Sequence, residues 1–174
     1  MKNLTLLIPL LFIIVGCTKE IPSDQVRYKN GLAYEFSVIT GFNQKPITGR
    51  VVSHHDNGQI YYKENYKDGK LHGLSESFHK NGQLNLKEIY KEGRVEKYLE
   101  QYHANGQVAR EWNYKDGELH GYMESWRDNG KVRGTRNYKD GKLDGIQQDF
   151  DENGRLYSRK IFKDGVKMED YKYE

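Results

Sequence analysis

Acidic side chains recur in the sequence at a spacing that could support glycoside hydrolysis. Glu76, Glu100 and Glu124 follow one another at intervals of 24 residues. Carboxylates on every second strand of a sheet lie about 10 Å apart, near the wider separation found in inverting glycosidases. A regular repeat reproduces any residue at such an interval, and bases such as Arg110, Arg136 or Lys160 would then balance the carboxylates on the same face. Since no single acid or nucleophile stands out, we predict that the protein is not an enzyme.

Histidines recur in the same way and raise the question of a metal site. His55, His79 and His103 are also 24 residues apart. Ligand atoms must lie about 2 Å from a shared zinc ion, whereas residues two strands apart are separated by roughly 10 Å. We therefore predict no metal site, and we expect these histidines to be exposed beside turns. The glycine-rich turns lack the Gly-x-x-x-x-Gly-Lys-Ser/Thr pattern of a phosphate loop, and we predict no cofactor.

Composition favours a β protein that does not bind nucleic acid. The 174 residues include 14 Tyr and 18 Gly but only 3 Pro, which is typical of short strands and tight turns. Lys and Arg number 28 against 25 Asp and Glu, so the net charge is only +3. A nucleic-acid binder usually has a strong basic excess, and this near balance argues against one.

Two series of glycine turns define a repeat of 24 residues, which is the strongest signal in the chain. Asn-Gly pairs begin at positions 57, 81, 105, 129 and 153. Acidic-Gly pairs begin 11 residues later, at positions 68, 92, 116, 140 and 164. Self-similarity at a fixed period indicates stacked structural units that share one extended core. Each unit contains two segments of strand length, so we predict a meander of β-hairpins.

The positions of apolar residues predict the form of the turns. A three-residue loop, Lys80–Gly82, would place Phe78 and Leu84 on one face, whereas a two-residue loop would separate them. We predict the same three-residue loop at Lys67–Gly69. The longer strand then has two surplus residues, and we place the resulting bulge at Leu71–Gly73 because glycine permits unusual backbone angles. Under this scheme one even-numbered face carries the large side chains of every copy, including Leu74, Phe78, Leu84, Leu86 and Tyr90.

We predict an all-β fold, an elongated single-layer antiparallel meander of β-hairpin repeats with an open sheet. The array spans residues 42–168. Residues 26–41 fit the repeat poorly and form an N-terminal cap, and residues 169–174 form a C-terminal edge that charged side chains protect from pairing.

The N-terminal segment predicts export and lipid attachment. An apolar run ends at residue 16, and it is too short for a membrane-spanning helix. Gly16 followed by Cys17 resembles the lipobox of bacterial lipoprotein precursors. That resemblance implies a signal peptide at residues 1–16, a lipidated Cys17, and a polar tether up to residue 25. We therefore expect a protein anchored to the cell membrane or the outer membrane.

Aromatic residues in the middle copies predict a binding surface. A single sheet layer cannot cover its own apolar face, and a large exposed apolar patch usually marks a contact surface. Trp and Tyr are also enriched in binding hot spots. The face would contact a partner protein, a second copy of the chain, or sugar rings. The predicted binding residues are Tyr98, Tyr102, Trp112, Tyr114, Tyr122, Trp126 and Tyr138.

The repeat pattern resembles the bacterial variant of MORN repeats. The segments that carry the resemblance are Gly-Leu-x-Glu-x-Phe-x-x-Asn-Gly-x-Leu at 73–84 and Tyr-Lys-Asp-Gly-Lys-Leu-His-Gly at 66–73, within an array of residues 42–168. The resemblance implies an interaction scaffold, and the family includes lipoproteins and antitoxin components of toxin–antitoxin modules. We therefore predict a membrane-anchored binding module for an envelope protein, possible self-association included. The alternatives are an antitoxin or immunity protein, and a glycan-binding or glycan-cleaving surface protein.

Overall fold

The structure is a computed structural model, and it describes residues 19–37 and 41–173. The N-terminal part of this chain has five strands and one turn of 3-10 helix, Ser23–Gln25. The strands are β1 (Glu20–Pro22), β2 (Val26–Lys29), β3 (Leu32–Ser37), β4 (Gly41–Pro46) and β5 (Gly49–His54).

The remaining strands follow in pairs joined by the glycine turns. They are β6 (Ile60–Lys67), β7 (Lys70–Phe78), β8 (Leu84–Lys91), β9 (Arg94–Tyr102), β10 (Val108–Lys115), β11 (Glu118–Leu119), β12 (Gly121–Trp126), β13 (Val132–Lys139), β14 (Lys142–Leu143), β15 (Gly145–Phe150), β16 (Leu156–Lys163) and β17 (Val166–Lys172).

Fourteen of these strands form one sheet, which we call the repeat sheet. From β5 to β17 the strands pair antiparallel in chain order, except that the short strands β11 and β14 pair only with β10 and β13, respectively. Strand β1 pairs parallel with β5 and forms the opposite edge. The sheet is open, because β1 and β17 do not pair with each other. The predicted open meander of hairpins is therefore confirmed. Strand β17 is exposed along its whole length, as expected of a free edge.

The Asn-Gly turns have the predicted three-residue form. The N–H of His79 donates to the carbonyl of Gln83 at 2.8 Å, and the N–H of Gly82 donates to the carbonyl of His79 at 2.8 Å. Gly82 has a φ of 83°, in the left-handed region that glycine adopts without strain. The side chain of Asn81 fixes the turn by accepting the N–H of Gln83 at 3.1 Å.

The three-residue loop predicted at Lys67–Gly69 is wrong. Lys67 pairs directly with Lys70, which leaves only Asp68 and Gly69 in the turn. Their φ angles are 49° and 78°, as in a type I′ turn, whose twist matches that of the flanking strands. Asp tolerates the left-handed conformation better than most residues, and this explains the acidic residue that precedes glycine in this series.

The prediction that one even-numbered face carries all the large side chains is also wrong. Phe78 pairs with Leu84, but Ser77 pairs with Leu86, so Asn85 is an extra residue in a bulge. A one-residue shift moves every later side chain to the other face. As a result Leu74 pairs with Ile89, and the even positions of β7 share a face with the odd positions of β8.

The bulge predicted at Leu71–Gly73 is confirmed. Tyr66 pairs with Leu71, but Glu64 pairs with Ser75, so the surplus residues lie between these pairs. Gly73 in this bulge has a φ of 86° and lies directly opposite Tyr90.

A separate three-stranded sheet, β2–β3–β4, packs on one end of the repeat sheet, and we call it the cap sheet. It includes the segment predicted as an N-terminal cap and extends to Pro46, beyond the expected boundary at residue 41. The buried core lies between the two sheets. Its residues are Ile21, Val26, Ala33, Ile47, Val51 and Tyr66.

The tether predicted at residues 17–25 is too long, because its described part belongs to the fold. Ile21 in β1 pairs with Val51, and its side chain is only 2% exposed. An apolar residue buried this fully anchors β1 to the core. The predicted signal peptide and Cys17 lie outside the described residues. Among the described residues no helix is long and apolar enough to cross a membrane.

Candidate interaction surface

The repeat sheet has two faces with different chemistry. The cap face contacts the cap sheet through Tyr66, and adjacent positions on a strand alternate between faces. The glutamate face is defined by a row of directly paired residues that crosses neighbouring strands. The members of that row are Glu76, Lys87, Glu100, Glu111 and Glu124.

The predicted binding residues do not share one face. Trp112 follows Glu111 in β10 and therefore lies on the cap face, whereas Trp126 is two residues from Glu124 in β12 and lies on the glutamate face. The same alternation places Tyr114 and Tyr138 on the cap face and Tyr102 and Tyr122 on the glutamate face. Tyr98 pairs through its backbone with Asn113. The seven residues therefore cannot form one binding surface.

Tyrosines on the cap face lie beside glutamates, and burial raises the pKa of these carboxyl groups. The hydroxyl of Tyr66 donates to Glu64 at 2.9 Å and lies 2.9 Å from the hydroxyl of Tyr28 in the cap. Burial raises the pKa of Glu64 and of Glu88 above the ordinary value, although the tyrosine hydrogen bonds act in the opposite direction. Burial, with the nearby Glu88 carboxylate, raises the pKa of Tyr90 to about 12.

The recurrent glutamates are balanced by a different base from the one expected. Lys87 lies directly between Glu76 and Glu100, and its ammonium group is 3.5 Å from the Glu100 carboxylate. The bases proposed from the sequence are on the cap face, because Arg110 pairs with Ser125, Arg136 with Met123 and Lys160 with Gln147.

Sequence reasoning missed Glu111, which pairs with both Glu100 and Glu124. Burial, followed by the charge of Glu111, raises the pKa of Glu124. No sequence pattern marks this neighbour, because it is the bulge at Ala109 that pairs the odd-numbered Glu111 with the even-numbered Glu100 and Glu124. Three adjacent carboxylates on a surface attract cations. Among the described residues, however, no group of three potential metal ligands has metal-binding geometry.

The turn histidines connect successive repeats, and they are half-buried rather than exposed as predicted. The Nε2 atoms of His55, His79 and His103 lie 2.8–3.0 Å from carbonyl oxygens of Phe78, Tyr102 and Trp126, respectively, each 23 residues further along the chain. Because a carbonyl oxygen can only accept, each Nε2 carries a proton and donates. The side-chain amides of the Asn-Gly turns make parallel contacts, as when Asn81 donates to the carbonyl of Ala104 at 2.7 Å.

A single layer of stacked hairpins, closed at one end by a cap, defines a repeat protein of the solenoid class. A family model described as the MORN repeat variant matches five copies, each beginning 24 residues after the last. The copies are residues 47–68, 71–92, 95–116, 119–140 and 143–164. The chain belongs to this family, whose repeats form a binding module, and we number the copies one to five in this order.

Comparison with other proteins adds little beyond the family. No curated protein sequence matches the chain. Among solved structures, S. aureus TarM matches with a TM-score of 0.37 and 16% identity over 62% of this chain and 20% of the TarM chain. The GtfA/B complex bound to UDP and GlcNAc matches with a TM-score of 0.26 and 14% identity, over 80% of this chain and 24% of that chain. The chain thus spans about a fifth to a quarter of these proteins, and similarities this low carry no functional argument.

Proposed function

We propose that the protein is a non-enzymatic binding module of the cell envelope that uses its cap face to hold a partner protein. The observation that supports this is the cap itself. The apolar cluster beneath the cap includes Tyr66 and ends at Leu71 among the described residues of the repeat sheet. The equivalent aromatic positions of copies two to five lie beyond it. They are Tyr90, Tyr114, Tyr138 and Phe162.

The contacts of the cap indicate what kind of partner suits this face. Ala33 and Val26 belong to the same buried apolar cluster as Tyr66. The Tyr28 hydroxyl lies within hydrogen-bond distance of the Tyr66 hydroxyl. A partner that presents small apolar residues and a hydrogen-bonding group would repeat this arrangement at Tyr114. Trp112, half-buried beside it, would contribute a large contact area of the kind found in hot spots.

Attachment to a membrane through Cys17 is the second part of the proposal. It rests on the Gly16-Cys17 step after an apolar segment. Metabolic labelling with a fatty acid tests it. Wild-type protein should become labelled and remain in the membrane fraction, and Cys17→Ala should not. Equal labelling of both proteins would exclude lipidation at this residue.

Two tryptophans on opposite faces provide a matched test of the binding surface. In pull-downs from solubilised envelope, Trp112→Ala should weaken capture of the partner at least about tenfold, as expected for a hot-spot residue. Trp126→Ala removes the same side chain from the glutamate face and should leave capture unchanged. Equal capture by wild type and Trp112→Ala, or a loss confined to Trp126→Ala, would contradict use of the cap face.

The antitoxin and glycan alternatives remain without a specific observation in their favour among the described residues. The antitoxin alternative rests on family resemblance. It predicts that deletion of the gene is tolerated only after removal of a neighbouring toxin gene.

A further inference from the structure

A cavity on the cap face has an unusual concentration of arginines. It has a volume of about 340 Å³, and four of its lining residues are Arg110, Arg127, Arg133 and Arg136. The only carboxylate among the lining residues is that of Asp149. The cavity lies where copies three, four and five meet, well away from the cap.

These arginines depart from the repeat. At the position of Arg127, copies one to three have histidine and copy five has aspartate. At the position of Arg136, copies one and two have glutamate. No other copy has arginine at any of the four positions. A structural requirement of the repeat would recur in every copy, so the cluster has a role that is specific to this part of the array.

Most of the positive charge in the cavity is not neutralised by the protein. Arg136 is paired with Asp149 at 2.7 Å. Arg110, Arg127 and Arg133 take part in no ion pair among the described residues. The Nε of Arg127 is buried and has no hydrogen-bond partner there, although its Nη2 donates to the carbonyl of Phe150 at 2.8 Å. Guanidinium groups held together repel one another, and a buried donor without an acceptor is costly.

A glycine outside the turn series leaves room at the centre of this cluster. Gly134 lies in β13 between Ser125 and Asp149, which are its paired neighbours on either side. A Cβ atom at Gly134 would approach Arg136 Nη1 to 2.9 Å and the carbonyl oxygen of Gln148 to 2.8 Å. The absence of a side chain therefore allows the Arg136 guanidinium to reach Asp149.

We propose that this arginine pocket binds an oxyanion of the phosphate class. Three guanidinium groups without ion pairs offer more donors than one carboxylate can accept, whereas a phosphate has several oxygens directed to different sides. Arginine is well suited to such oxygens because its planar donors bind two at a time. Bound phosphate would also supply the acceptor that Arg127 Nε lacks. This site is independent of the proposed protein partner, since the cavity and the charges define it.

Titration calorimetry of the full-length chain in neutral detergent micelles tests the proposal, with inorganic phosphate as the probe at constant ionic strength. Wild type should bind one phosphate saturably. Arg133→Gln removes an exposed guanidinium from the pocket and should weaken binding by about tenfold, the effect of one charge-assisted contact. Arg159→Gln makes the same charge change outside the pocket and should bind as wild type does. Thermal melts would identify any variant that fails to fold.

A second arm separates the two sources of a phosphate group. Micelles doped with phosphatidylglycerol should compete with free phosphate if the pocket accepts a lipid headgroup, and should have no effect if it accepts a soluble phosphate ester. Either result agrees with the site as long as Arg133→Gln weakens phosphate binding. Phosphate binding that is absent, or that is equally weak in wild type, Arg133→Gln and Arg159→Gln, would overturn the proposal.

Discussion

Tyr66 in copy one and Tyr138 in copy four occupy the same position of the repeat but have different surroundings. Tyr66 is 6% exposed under the cap, and its hydroxyl contacts both Tyr28 and Glu64. Tyr138 is half-buried and lies opposite Gly121. The residue two positions before it is Arg136, whereas the equivalent residue in copy one is Glu64. The backbone of the repeat is therefore constant, while the residues that vary between copies make one end a core and the other a charged, open surface.

The largest effect should come from the contact between cap and repeat sheet at Gly69. Its N–H donates to the carbonyl of Ile47 and its carbonyl accepts the N–H of Ala33, both at 2.8 Å. A Cβ there would lie 2.8 Å from that of Pro46. We expect Gly69→Ala to lower the free energy of unfolding by about 4 kcal/mol, through a left-handed backbone and overpacking.

Gly93 is the matched control for this prediction. It occupies the same turn position in copy two with a φ of 81°, and a Cβ would have nothing within 4 Å. Gly93→Ala should therefore cost only about 1 kcal/mol, the backbone contribution alone. Denaturant unfolding of both variants measures the difference. Equal losses of stability in the two variants would show that the cap leaves room for a Cβ atom at residue 69.

The next largest effect should distinguish the buried core from the open array. Ile21 is 2% exposed beneath the cap, and Ile146 is 37% exposed on the glutamate face. We expect Ile21→Ala to reduce the free energy of unfolding by about 3 kcal/mol because it leaves a cavity, and Ile146→Ala by less than about 1 kcal/mol. If the two variants lost equal stability in denaturant titrations, the N-terminal end would not be the better packed region.

The smallest effect concerns the buried carboxylate of Glu88. Because burial raises its pKa in the folded chain, the folded chain binds more protons than the unfolded chain above the ordinary pKa of 4.5. The contribution of this group to stability therefore falls as pH rises from that value through the raised one. Glu88→Gln should flatten this fall and leave the neutral-pH protein equally or slightly more stable, within about 1 kcal/mol.

Thermal melts between pH 4 and pH 7 measure this effect. Glu152→Gln changes an exposed turn residue and serves as the control, whose pH dependence should match that of wild type. A steeper fall with pH in Glu88→Gln would contradict the assigned sign.

The sequence alone was sufficient for the open meander because regularly spaced glycine turns separate the strands, but it did not predict the two-residue form of the Asp68-Gly69 turn. The Asn-Gly loops, the bulge near Gly73 and the open meander were all predictable from spacing. The single-residue bulge at Asn85 was not, since nothing in its polarity separates it from a regular strand residue. The equivalent residue of β10, Ala109, lies in a bulge between the pairs Val108–Tyr102 and Arg110–Gln101. This bulge reverses the faces of β10, and it explains why Trp112 and Trp126 were assigned to one surface.

The surface chemistry was harder to predict for a related reason. The glutamates and histidines are easy to identify because they recur every 24 residues. Arg110 and Arg136 do not recur, since the other copies have different residues at these positions. Their shared cavity is lined by residues of five strands, β10, β12, β13, β15 and β16. Comparing the charge at each position between copies would have added Arg127 and Arg133 to the two arginines named from the sequence, but it would not have revealed the space that Gly134 leaves between them.

The contacts between successive turns also have a consequence for how such chains change in length. The first three Asn-Gly turns are each joined to the next turn by an asparagine side chain, which donates to the equivalent backbone oxygen one unit later. Duplicating or deleting one whole unit in the interior would restore every one of these links across the new junction. A gene of this kind can therefore gain or lose copy two by recombination. Loss of copy one would remove the contacts with the cap, and loss of copy three or four would remove arginines of the pocket, which no other copy has.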